Sequence, residues 1–138
     1  MEHKRTVLIS GANRGIGAAT ANAFLEAGWN VSLGMRSPEM SIWTSDATKH
    51  LHAYDANDPY SADRWVNAAS DRYGRIDAVV ANAGIMIKTP VLEASDEDFA
   101  SLMNINVSAP RKLVKACWSE LVKTGTGRVV VISSLSGK

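Results

Sequence analysis

Short runs rich in β-branched residues alternate along this chain with longer stretches whose apolar positions recur at helical spacing. The first run, residues 6–9, lies between charged residues and a glycine-rich stretch. Residues 30–35 predict a second strand, 51–54 a shorter third, 77–81 a fourth and 128–132 a fifth. Residues 16–27 predict a helix of small residues, closed by Gly28 as its C-terminal cap. A short helix is expected after Pro38. Asp58 followed by Pro59 predicts another helix start, with Trp65, Val66 and Ala69 on the inner face. Ser95 to Asp98 resembles a capping box. A long helix over 107–123 carries Leu113, Val114, Cys117 and Leu121 along one face, and Pro110 fits it only in the first turn. The fifth strand is apolar enough to be covered on both faces, as strands inside parallel sheets are. This alternation implies one α/β domain, a parallel sheet with right-handed crossovers and helices on its faces.

Composition narrows the field by exclusion. The 138 residues are 46% hydrophobic and 21% charged, the ordinary mix of a globular domain, with no internal repeat or low-complexity segment. Fifteen basic residues against fourteen acidic ones, a net charge of +1, leave no footprint for nucleic acid or an anionic membrane. No apolar run approaches the ~20 residues of a membrane helix, and the first ten residues do not read as a secretion signal. With a single cysteine, Cys117, the expected compartment is the cytoplasm. His3, His50 and His52 are not spaced as metal ligands, so no metal is expected and surface positions are. Trp29, Trp43, Trp65 and Trp118 are expected in the core or at helix contacts.

Candidate chemistry begins in the turn Ser10-Gly-Ala-Asn-Arg-Gly-Ile-Gly17, directly after the first strand and opening the first helix. Gly11, Gly15 and Gly17 leave no side chain where the backbone turns sharply and where a pyrophosphate must come close. The free N–H groups and dipole of the helix start then favour the phosphates. Three such glycines alone mark no more than a flexible turn; their placement between strand and helix points to a dinucleotide.

At this point the chain resembles the short-chain dehydrogenase/reductases. Their glycine signature is matched by Ser10 to Gly17, their N-A-G after the fourth strand by Asn82-Ala83-Gly84, and their aspartate after the third strand by Asp55. Their helix asparagine is matched by Asn106 and their serine pair by Ser133-Ser134. The resemblance implies a Rossmann-type doubly wound parallel sheet, here truncated after the fifth strand. It further implies that Gly11, Asn13, Arg14, Gly15, Ile16 and Gly17 surround the cofactor phosphates. By the same resemblance Asp55 accepts from the adenine amino group with the Ala56 backbone beside it. Asn82, Ala83 and Gly84 line the path towards the nicotinamide, and Asp77 is a fold residue. The family chemistry is hydride transfer between nicotinamide and a carbonyl or alcohol. Ser134 matches the serine that orients the substrate, with Ser133 and Ser136 as competitors. Asn106 matches an asparagine that holds a relay water, or else caps the backbone where its helix begins.

Selectivity for NAD needs an acidic residue at the end of the second strand. Met35 stands there, followed by Arg36, and Arg14 lies in the glycine turn. Two guanidinium groups without a competing carboxylate favour NADP, although each arginine taken alone is as simply read as solvated.

The family's catalytic tyrosine and lysine form Y-x-x-x-K about a dozen residues past the serine pair, where both reach the substrate oxygen. The chain ends at Lys138, and none of Tyr54, Tyr60 and Tyr73 has a lysine four residues later. The expectation is a domain incomplete at its C-terminus, clipped by a protease after Lys138 or, second, encoded short. The parent is then an oxidoreductase, a homo-oligomer when full length, and the 138 residues alone are inactive. The alternative readings are a non-catalytic NADP(H)-binding module and, third, a scaffolding descendant without cofactor. The substrate is not legible; Met86 and Ile87 promise only a partly apolar pocket wall.

Overall fold

Alternate residues of a strand face opposite sides of a sheet, and that alternation sorts the core into two layers. A computed structural model describes residues 4–133, in which five parallel strands stand in the order β3-β2-β1-β4-β5. These are β1 (Thr6–Ser10), β2 (Asn30–Met35), β3 (Lys49–Ala53), β4 (Ala78–Ala81) and β5 (Arg128–Val131). Val7 and Ile9 of β1, with Ala78 and Val80 of β4, join one buried cluster. Their neighbours Leu8, Val79 and Ala81 join the other. Helix α1 (Gly15–Glu26) covers the first face through Ala21, with Phe24 and Leu25 packed against it. Helices α2 (Ser61–Tyr73) and α4 (Ala109–Thr124) cover the second through Trp65, Val66, Ala69, Leu113, Cys117 and Leu121. The expected doubly wound α/β architecture is therefore the observed one.

The buried strands β1 and β4 carry continuous apolar runs, Val7–Ile9 and Ala78–Ala81, because both faces are covered. Trp65 is wholly buried under the sheet, and its indole N–H donates to Ser32 Oγ at 2.8 Å. A buried indole needs such a partner. The chain entry to the sheet is tied by Asp77, which is 2% exposed and accepts from the Thr6 N–H at 2.9 Å and from Arg75 Nε at 2.8 Å. Asp77 is a fold residue, as the sequence implied.

Several elements depart from expectation. Helix α2 begins at Ser61, three residues past Asp58, because the Asp58 carboxylate accepts the Tyr60 N–H and forms a turn ahead of the helix. The long helix α4 starts at Ala109, two residues past the expected start, with Pro110 in its first turn, but it does not start afresh. It continues from α3 (Asp96–Met103), which Ser95 and Asp98 open with a reciprocal capping box, through one π-helical turn over Asn104–Ser108. The Ala109 N–H bonds back to the Asn104 carbonyl. A proline ring clashes with the carbonyl four residues back; for Pro110 that residue is Asn106, and the widened turn lies there. The stretch after Pro38 yields one 3₁₀ turn, Pro38–Met40, followed by irregular chain.

Strand β5 is exposed rather than covered, with Val131 53% accessible, and nothing among the described residues pairs with its outer edge. Trp118, expected to be packed, is 58% exposed. His50, expected on the surface, is half-buried, and its ring bonds to Ser32. Leu113, Cys117 and Leu121 are buried within the chain, so intramolecular packing accounts for them. Burial, then the charge of Glu120, pushes the Cys117 thiol up to about 12, which leaves it inert. Among the described residues no helix is long and apolar enough to cross a membrane.

Candidate functional site

Strand order reverses at β1, with β2 and β3 to one side and β4 and β5 to the other. Such a reversal opens a crevice at the carboxyl ends of the strands. A cavity of about 470 Å³ lies there. Gly11, Asn13 and Arg14 of the glycine turn form one wall, beside Gly34, Met35 and Arg36 at the end of β2. Tyr54, Asp55, Ala56 and Asn57, after β3, form a second wall. Ala83, Gly84 and Ile85, after β4, meet Ile105 of the π turn to form the third.

Eight of the predicted cofactor residues thus share one cavity: Gly11, Asn13, Arg14, Arg36, Asp55, Ala56, Ala83 and Gly84. Gly15, Ile16, Gly17 and Asn82 do not line it. Gly17 is buried beneath the turn, and a Cβ placed there would stand 2.1 Å from the Gly11 carbonyl oxygen. Its role is close packing of helix on turn. Gly15 has φ +56° and open space around it. A side chain there would be strained. Asn82 Nδ2 donates to the Gly11 carbonyl at 3.0 Å, and the Asn82 and Ala83 N–H groups both donate to Ser10 Oγ. The N-A-G turn and the glycine turn are therefore bonded to each other. The signal for Ser10 was the hydroxyl residue that opens the glycine motif.

The start of α1 is bare. Arg14 makes no side-chain cap and no acidic residue lies in the first turn, so its N–H groups are left for an anion. Asp55 is the one carboxylate among the lining residues; its Oδ1 accepts the Asn57 N–H at 2.9 Å and its own N–H donates to Ser61 Oγ. Asn57 Oδ1 in turn accepts from Asn104 Nδ2 of the π turn at 2.8 Å.

Asn106 lies in that π turn rather than at a helix start, and its side chain caps no helix. Oδ1 accepts the Ile85 N–H and Nδ2 donates to the Ile85 carbonyl, each at 2.8 Å. Ser134 and Ser136 lie outside the described residues; Ser133, just after β5, is exposed. Tyr54 lines the cavity, yet burial, then the charges of Asp55 and Cys117, raise its pKa, opposite to what a neutral-pH base requires. Tyr60 is 69% exposed outside the lining, and Tyr73 faces His50. Sequence reasoning missed Asn57 and Ile105 as lining residues. Neither carries a motif, and only the fold brings the π turn beside the loop after β3.

Comparison with known proteins agrees with this arrangement. The family model for short chain dehydrogenase matches residues 5–138. Agropine synthesis reductase of Rhizobium rhizogenes is 36% identical over 136 residues, 96% of this chain and 32% of that protein. Oxidoreductase UcpA of Escherichia coli K12 is 33% identical over 138 residues, 96% of this chain and 52% of that protein. The chain thus spans about a third to a half of the length of the curated relatives it matches. A short-chain dehydrogenase from Streptomyces avermitilis superposes with a TM-score of 0.89 at 28% identity, over 99% of this chain and 52% of that one. An alcohol dehydrogenase from the archaeon Thermococcus sibiricus, complexed with 5-hydroxy-NADP, superposes with a TM-score of 0.82 at 29% identity, over 94% and 57%. Matched by its family model from the first strand onward, this chain belongs to the short-chain dehydrogenases.

Proposed function

We propose that the chain binds NADP in the 470 Å³ cavity and serves an oxidoreductase that exchanges hydride with a carbonyl or alcohol substrate. The observation that carries this reading is that Arg14 and Arg36 line the cavity together with Met35, at the end of β2. Two guanidinium forks suit a 2′-phosphate, whereas a ribose diol calls for a carboxylate at Met35. The bound structure of the Thermococcus sibiricus relative, which holds an NADP derivative, supports it.

In this reading the bare start of α1 and the open space at Gly15 receive the pyrophosphate. Asp55 and the Ala56 backbone hold the adenine, and Ala83, Gly84 and Ile85 lead towards the nicotinamide. The nicotinamide, when bound, supplies or accepts the hydride. Asn106 fixes the loop that flanks it by gripping Ile85. Pro110 has no N–H to give the Asn106 carbonyl four residues back. Ser134 orients the substrate oxygen. The same reading places the enzyme in the cytoplasm as a homo-oligomer, with the exposed Trp118 and Val122 of α4 as contact candidates.

Calorimetric titration with NADP⁺ and NAD⁺ tests the cofactor. NADP⁺ binds at least about tenfold tighter, and Arg36→Ala removes about one charge-assisted contact, about a tenfold loss for NADP⁺ and little for NAD⁺. Equal affinity of the wild type for both cofactors overturns the assignment.

A further inference from the structure

The connection between β2 and β3 contains one 3₁₀ turn and no α-helix, and it runs from Arg36 along the glycine turn. It touches that turn at two consecutive residues. Trp43 Nε1 donates to the Ala12 carbonyl at 2.8 Å, and Ser41 Oγ donates to Asn13 Oδ1 at 2.6 Å. The Trp43 N–H donates to Ser41 Oγ at 3.0 Å, so the hydroxyl accepts from one side and gives its single proton to the other. Trp43 is itself anchored, packed on the buried cluster that includes Leu33 and Met35.

We infer that Ser41 is a positioning residue for cofactor selectivity, acting through Asn13. With Oδ1 engaged by Ser41, the Asn13 amide keeps its NH₂ group, which has no protein partner among the described residues. Asn13 lines the same cavity as Arg14 and Arg36. The amide therefore presents donors, not its carbonyl, on the wall that holds the two guanidinium groups. A phosphate accepts hydrogen bonds only, so this orientation favours the 2′-phosphate over the 2′-hydroxyl. Without the Ser41 hydroxyl the amide is free to turn its oxygen towards the anion. Because Ser41 sits five residues after Arg36 on one segment, it also ties the two sides of the proposed clamp together. The inference rests on the NADP reading of this cavity.

The test compares the affinity of NADP⁺ and NAD⁺ for the wild type, Ser41→Ala and Ser41→Thr, with thermal unfolding followed in parallel. Ser41→Ala is expected to weaken NADP⁺ about tenfold or more, the worth of one hydrogen bond to a charged group, with NAD⁺ changed less than about twofold. Ser41→Thr keeps the hydroxyl and restores the ratio. Should Ser41→Ala fold poorly, Asn13→Asp gives the same discrimination, because a fixed carboxylate repels the 2′-phosphate selectively. A wild type that prefers NADP⁺, with variants that lower both affinities equally or neither, overturns the role of Ser41 alone. A wild type without preference for NADP⁺ overturns the reading of the cavity and this inference with it.

Discussion

Asn106 grips Ile85 by both of its backbone groups, accepting its N–H and donating to its carbonyl at 2.8 Å each. The residues are 21 apart in sequence, and the bonds fasten the loop after β4 to the π turn between α3 and α4. Each bond is neutral and partly solvated, worth ~0.5–1 kcal/mol. Asn106→Ala is expected to lower stability by about 1–2 kcal/mol in urea unfolding and to speed amide exchange at Ile85. Asn106→Asp sets a carboxylate against the Ile85 carbonyl and costs at least as much. An unchanged exchange rate at Ile85 in both variants refutes the clamp.

Gly15 and Gly17 lie two residues apart and fail differently on substitution. A Cβ at Gly17 meets the Gly11 carbonyl oxygen at 2.1 Å, a backbone atom that cannot step aside. Gly17→Ala is therefore expected to cost about 3 kcal/mol or more, chiefly as lost fold. A Cβ at Gly15 meets nothing within 4 Å, and only its φ of +56° resists, at about 1 kcal/mol. Gly15→Ala should fold and lose affinity for dinucleotide. Chemical denaturation of both proteins checks the order; equal destabilisation contradicts it.

The parallel sheet and its two helix layers were legible because β-branched runs and helical periodicity are local properties, as in residues 6–9 and around Trp65. The glycine turn was legible for a related reason: its chemistry sits in eight consecutive residues. What sequence could not reveal was contact between distant segments. Nothing local distinguishes Asn57 or Ile105 from other loop residues, and their place at the cavity follows from the packing of the π turn. Helix starts slipped by a few residues where an aspartate made a turn of its own at Asp58, and where helix α3 ran on through a widened turn towards Pro110. Half-buried His50 escaped because its partner Ser32, which also accepts from Trp65, belongs to another element.

Asp77 supplies a third prediction. Its carboxylate is buried, bonded to the Thr6 N–H and paired with both Nε and Nη2 of Arg75. Asp77→Ala leaves a buried backbone donor and a half-buried guanidinium without partners, and the expected loss is about 3 kcal/mol. Asp77→Asn keeps shape but loses the charge and is expected to cost about half as much. Guanidinium unfolding curves of the two variants decide; a change below about 0.5 kcal/mol for Asp77→Ala removes Asp77 from the framework of the sheet.

Protonation of His50 supplies the pH dependence. Trp65 Nε1 donates to Ser32 Oγ, and the same hydroxyl is hydrogen-bonded to His50 Nδ1 at 2.8 Å. Protonation places a charged ring in this half-buried position, against a hydroxyl that already accepts from Trp65. Burial first, then the charges of Arg72 and His52, lower the pKa from 6.5 to about 4. Between these values the unfolded chain binds a proton that the folded chain does not, so stability is full above pH 6.5 and falls as the pH drops towards 4. The ring is half-exposed, which limits the total to about 1–2 kcal/mol. Asp46, whose carboxyl is held near pH 2 by Lys49 and Thr48, titrates below this window. His50→Gln retains an acceptor for Ser32 and removes the titration. Its urea midpoint is expected to change less than the wild type's between pH 7 and pH 4.5. Parallel curves for the two proteins would mean that the acid sensitivity arises elsewhere, and that the Trp65–Ser32–His50 chain tolerates a charged ring.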